Sequence, residues 1–123
     1  MDRDQITHEI LDSAYKVHTK LGPGLLESAY RTCLAYELRK KGLKVEEEKP
    51  LPIVYEEVKL ECGYRLDILV EDQVIIELKT VNAFNDVHLA QMLTYLRFSK
   101  KHTGLLLNFY VKSLKDGIKR VSL

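Results

Sequence analysis

Tyr64-Arg65-Leu66-Asp67-Ile68-Leu69-Val70, the turn Glu71-Asp72-Gln73 and the run Val74-Ile75-Ile76-Glu77-Leu78-Lys79 decide the fold. Two β-rich runs around a short polar turn predict a hairpin. With the turn centred on Asp72, Asp67 faces Glu77 and Arg65 faces Lys79. Side chains directly opposite each other share a sheet face, and so do residues two apart on one strand. Arg65, Asp67, Glu77 and Lys79 therefore gather on one face, with Leu69 and Ile75 beyond them toward the turn. Leu66, Ile68, Val70, Val74, Ile76 and Leu78 make the other face wholly apolar. A slip of one residue would mix the two sets, so the pattern fixes the register.

Two carboxylates facing each other repel and destabilise a strand pair unless something compensates. A divalent cation compensates directly. Mg²⁺ takes hard oxygen ligands and keeps several waters. Asp67 and Glu77 supply two ligands, and the backbone carbonyl of Leu78 is a candidate third. Lys79 then sits beside the bound water and a scissile phosphate, where it can orient the nucleophile and stabilise developing charge. The plainer alternative is a half-buried hairpin whose charged face is only solvated.

Upstream of the hairpin, Ile6, Ile10, Ala14, Val17 and Leu21 recur at helical spacing and predict a helix over about 4–20, capped by Asp2 or Asp4. Gly22-Pro23-Gly24 breaks it. A second helix is expected over about 25–41, with Leu26, Ala29, Tyr30, Cys33 and Leu34 as its apolar stripe and Gly42 as its stop. After Gly42 the period becomes two, around Leu43–Glu46 and again around Ile53 and Tyr55. Downstream, a helix is expected over 86–99. The apolar run Gly104–Tyr110 then reads as a strand buried on both faces, parallel to its predecessor across the helical crossover. The tail Lys119–Leu123 is a candidate edge strand. The expected architecture is α/β, a mixed central sheet flanked by helices, two of them N-terminal, in one domain over 1–123.

The 123 residues carry a net charge of +1, with 46% hydrophobic and 30% charged residues. That composition sustains one core and excludes a disordered chain. A protein binding long duplex by phosphate neutralisation alone would be more basic. The clusters Arg39-Lys40-Lys41 and Lys100-Lys101-His102 fall at expected helix C-termini, where cations suit the dipole. Cys33 and Cys62 read as reduced, core-facing thiols. The charged start MDRDQITHEI does not resemble a signal peptide, and no apolar run is long enough for a membrane helix. A cytoplasmic protein is expected.

Asp67 followed by Glu77-Leu78-Lys79 on a hairpin before a helix resembles the PD-(D/E)XK nuclease motif, although Leu66 stands where the name has proline. Gly24-Leu25-Leu26-Glu27-Ser28-Ala29-Tyr30 resembles the GxxExxY signature of a small prokaryotic family in that superfamily. Gln91-Met92-Leu93-Thr94-Tyr95 is similar to the QxxxY motif of RecB-type and phage exonucleases. The resemblance implies a restriction-endonuclease-like core and a nuclease dependent on Mg²⁺ or Mn²⁺. It implies metal carboxylates at Asp67 and Glu77, a catalytic lysine at Lys79, and Glu27 and Gln91 as further members of the site. Tyr95 and, sharing its helix face, His88 become candidate substrate contacts. Arg65 joins them because its guanidinium fork suits a carboxylate or a phosphate. Nucleic acid is the implied partner, DNA ahead of RNA. A chain this small has little surface for choosing a substrate, and a homodimer or partner protein would enlarge it. The competing reading is a nuclease-fold module that binds nucleic acid or a partner protein with little or no catalysis.

Overall fold

The computed structural model describes residues 1–61 and 63–123. The chain runs α1 (Arg3–Leu21), α2 (Glu27–Lys40), β1 (Val45–Pro50), β2 (Ile53–Tyr55), β3 (Val58–Leu60), β4 (Arg65–Val70), β5 (Val74–Lys79), α3 (Asp86–Ser99), β6 (Thr103–Asn108) and β7 (Ile118–Ser122), with a 3-10 turn at Leu114–Gly117. Five strands form one mixed sheet in the order β1-β4-β5-β6-β7. The expected hairpin and its register are present, since Ile68 pairs with Ile76, Leu69 with Ile75 and Val70 with Val74. Glu71 and Asp72 carry the turn with φ of 52° and 55°, the left-handed pair that a tight hairpin turn of matching twist requires. β6 runs parallel to β5 and is buried along its whole length, as a strand covered on both faces must be. The tail does form the edge strand, antiparallel to β6.

Each face of the sheet is covered. Ile6, Ile10, Ala14 and Val17 of α1 and Tyr30, Leu34 and Leu38 of α2 pack on Ile68, Val70, Val74, Ile76 and Leu78. Met92, Tyr95 and Leu96 of α3 pack on Leu69, Ile75 and Leu106 from the other side, joined by Leu51 and Ile53. Asp2 caps α1 with a full capping box. Gly42, at φ 82°, stops α2: its N–H bonds to Arg39 O at 2.9 Å, and the Leu43 N–H bonds to Leu38 O at 3.2 Å. No described helix is long and apolar enough to cross a membrane.

Several expectations need correction. Leu66 leaves the apolar face it was assigned and packs with the α3 side. The alternation breaks at Asp67, opposite Glu48. Glu48 has a left-handed backbone at φ 48°, and the β1–β4 ladder skips that pair. Leu26 is not in the stripe of α2. It stands at the N-cap and is 78% exposed, while Ala35 and Leu38 take the buried places. The expected single strand around Ile53 and Tyr55 is a separate small hairpin, β2 paired with β3. The last apolar run ends as a strand at Asn108, and Tyr110 is exposed. Cys33 is free and packs at the edge of the core, whereas Cys62 lies outside the described residues.

Gly104 lets α3 approach β6, because a Cβ there would collide with the Met92 side chain. Gly104→Val should therefore cost about 1–3 kcal/mol in urea unfolding, as overpacking does. Met92→Ala in the same chain should recover part of that loss, since the two residues share one contact.

Candidate active site

Asp67 and Glu77 meet where the β4–β5 ladder ends. Each carboxylate takes a backbone donor from the opposite strand. The Asp67 N–H donates to Glu77 Oε1 at 3.1 Å, and the Leu78 N–H donates to Asp67 Oδ2 at 2.8 Å. Side-chain oxygens thus satisfy both amides, and the amides fix both carboxyl groups. Glu77 is only 4% exposed. Its pKa is pushed up from 4.5 to about 9, by burial first and by the Asp67 charge second.

Two further elements, α2 and α3, converge on this pair. Lys79, at the end of β5, donates from Nζ to Gln91 Oε1 of α3 at 3.3 Å. Glu27, at the start of α2, accepts from the Thr80 N–H at 3.2 Å and from Thr80 Oγ1 at 3.4 Å. Thr80 directly follows Lys79, so Glu27 reaches the edge of the site from the other side of the sheet. Tyr95 is one turn beyond Gln91 and is buried. Its hydroxyl is pushed up to about 12 by burial and then by the Glu77 and Asp67 charges, which leaves it a proton donor at neutral pH.

The fold also shows why Glu27 is presented there. The Tyr30 ring stacks on Phe109, with centroids 4.4 Å apart. The Tyr30 hydroxyl donates to Gly22 O and accepts from the Leu25 N–H at 3.0 Å. One buried tyrosine therefore holds the turn that launches α2. Nothing in the structure explains Gly24, whose surroundings are open.

Two sequence candidates lie apart. Arg65 is exposed and stands opposite Pro50, and its side chain makes no hydrogen bond or ion pair among the described residues. The strand splay at Asp67 ends the ladder before an Arg65–Lys79 pairing is reached. His88 closes the capping box of α3: its Nδ1 accepts from the Asn85 N–H at 3.2 Å, and its ring meets Phe84 edge-on. That ties His88 to the helix start rather than to the carboxylates.

Asn108 is a positioning residue whose role the sequence did not reveal. It is 2% exposed and makes three hydrogen bonds: Oδ1 accepts from the Val81 and Tyr110 N–H groups at 3.2 and 3.1 Å, and Nδ2 donates to Val81 O at 2.8 Å. This clamp holds the chain just after Lys79 and Thr80. The only signal was an amide interrupting an apolar strand.

A model of the PD-(D/E)XK nuclease superfamily matches residues 4–121. The chain belongs to that superfamily. No curated protein and no solved structure matches it. The letters of the PD-(D/E)XK name ask for an aspartate, then an acidic residue with a lysine two positions on, and Asp67, Glu77 and Lys79 fit them.

PD-(D/E)XK chemistry calls for a divalent metal, and the donor set can be tested for fit. Among the described residues no group of three or more His, Cys, Asp or Glu could hold a metal ion. Two carboxylates beside the Leu78 peptide suit Mg²⁺ or Mn²⁺, which accept oxygen ligands and complete their shell with water. The buried, mutually repelling pair is also what a cation would relieve.

Without metal, the folded state favours protonated Glu77. Its stabilising contribution is therefore complete below pH 4.5 and is lost as pH rises toward 9. Glu77→Gln removes that loss. In EDTA the variant should match the parent near pH 4.5 and exceed it by roughly 3 kcal/mol at pH 7. Urea melts across pH check this, and a difference that does not grow with pH would contradict it.

Proposed function

We propose that this PD-(D/E)XK chain is a divalent-metal-dependent nuclease that hydrolyses phosphodiester bonds. The observation that carries the reading is the convergence of Asp67, Glu77 and the Gln91-held Lys79 at the frayed end of one hairpin. Asp67, Glu77 and the Leu78 carbonyl would hold Mg²⁺ or Mn²⁺. The bound metal supplies Lewis-acid polarisation of the phosphate and a more acidic water. The chain's own residues supply position. Gln91 fixes Lys79 Nζ so that it can meet a non-bridging phosphate oxygen and stabilise charge in the transition state. The Tyr95 hydroxyl is a second donor on the same side. Glu27, tied to Thr80, is placed to orient water or the strand. The GxxExxY and QxxxY resemblances support these roles, because Glu27, Tyr30, Gln91 and Tyr95 all either reach the site or hold an element that does. DNA is the proposed substrate ahead of RNA, with a homodimer or partner protein extending the small surface.

A second reading draws on one observation. No third His, Cys, Asp or Glu stands with Asp67 and Glu77 among the described residues. That suits a nuclease-fold module that binds without cutting.

Labelled linear and circular DNA and RNA, incubated with Mg²⁺, Mn²⁺ or EDTA, separate the two. The nuclease reading expects cleavage that needs metal and falls at least about 100-fold in Asp67→Ala and Lys79→Ala. Gln91→Ala should lose less, because Lys79 remains. Parent activity no higher than that of the variants on every substrate would leave the binding module.

A further inference from the structure

Next to Gln91 and Tyr95 lies a cavity of about 340 Å³ whose other lining residues have no part in the hydrolytic reading. It is lined by Ile53 and Leu60 of the β2–β3 hairpin and by the aromatic residues Tyr64, Tyr95 and Phe98. Gln91 reaches into it as well. The walls present aromatic surface to the opening: Tyr64 is 41% exposed and Phe98 37%. Neither ring is needed to fill the core on that side, which Met92, Leu96 and Leu106 already close.

We propose that this cavity receives one unpaired nucleobase, so that the substrate is single-stranded nucleic acid or a frayed strand end. The inference rests on the phosphodiester reading above and narrows it. Three features carry it. The lining is aromatic and apolar with an amide at its rim, the combination that stacks a flat base and bonds its edge. The cavity is continuous with the site, because Gln91 lines it while holding Lys79 and because Tyr95 lines it beside Glu77 and Asp67. A base seated there brings its neighbouring phosphate toward Lys79. Finally, a net charge of +1 gives little phosphate neutralisation, so affinity has to come from stacking, which a closed duplex withholds.

The test is fluorescence anisotropy in EDTA, where binding is read without cleavage. The probes are a labelled single-stranded DNA, the same sequence as RNA, its duplex, and a single strand with abasic positions. Single strands should bind at least roughly tenfold tighter than the duplex or the abasic strand, and Tyr64→Ala and Phe98→Ala should each weaken them roughly tenfold. Phe98→Trp should keep the affinity, and thermal melts confirm that each variant is folded. The DNA and RNA arms show which sugar the site prefers. Equal affinity for duplex, or alanine variants that bind single strands like the parent, would overturn the proposal. Metal-dependent cutting alongside that result would leave the nuclease reading standing. Base-dependent binding with no cutting would do the reverse.

Discussion

The exchange of backbone donors between Asp67 and Glu77 is the constraint on which the rest of the site depends. In an ordinary hairpin of this register the Asp67 and Leu78 amides would not both point across the β4–β5 ladder, because neighbouring pairs alternate between bonded and non-bonded. Here they find carboxylate oxygens, so the strands part at that point and the acidic groups are pinned in the gap. Burial makes this costly for Glu77, and the layers on either face keep it from relaxing into water. α2 delivers Glu27 from one side of the sheet and α3 delivers Gln91 and Tyr95 from the other. The frayed end of the hairpin is thus the place where side chains from both faces of the sheet come together.

Much of this was legible because side-chain period and hairpin register leave few choices. Val70 and Val74 next to a polar turn set the pairing, and the alternating apolar residues admitted only one sum of positions. The helix expected over 86–99 is present as well, and the structure adds its Asn85 cap. The sequence was silent where a single backbone residue overrides the pattern. Glu48 adopts a left-handed conformation with no glycine to announce it, and Leu66 changes sides as a result. Glu56, at φ 52°, likewise turns β2 into β3 where no glycine or asparagine marks a turn.

The candidate residues divide along the same line. Asp67, Glu77 and Lys79 were proposed from register, and Glu27 and Gln91 from motif, but the contacts they make in the fold were not visible. Thr80 as the anchor of Glu27 and Asn108 as the clamp behind it are long-range meetings that no local spacing encodes. Arg65 and His88 show the opposite failure. Each shares a face or a helical side with the site in the idealised geometry. A splayed strand removes Arg65, and a capping hydrogen bond claims His88. Local backbone demands outrank shared-face arguments when a polar side chain can serve either.

The Asn108 clamp also bears on when the site comes into being. The hairpin is local in sequence, whereas β6 must cross over the whole of α3 before its asparagine can seize Val81. Non-local parallel pairing is slow because a long loop closes before it is rewarded. The acidic pair can therefore approach each other early, while the segment carrying Lys79 and Thr80 stays unfixed until that closure. During synthesis on the ribosome, Asp67 and Glu77 would meet before the chain after Lys79 is held, and that segment would be fixed only with the second half of the sheet.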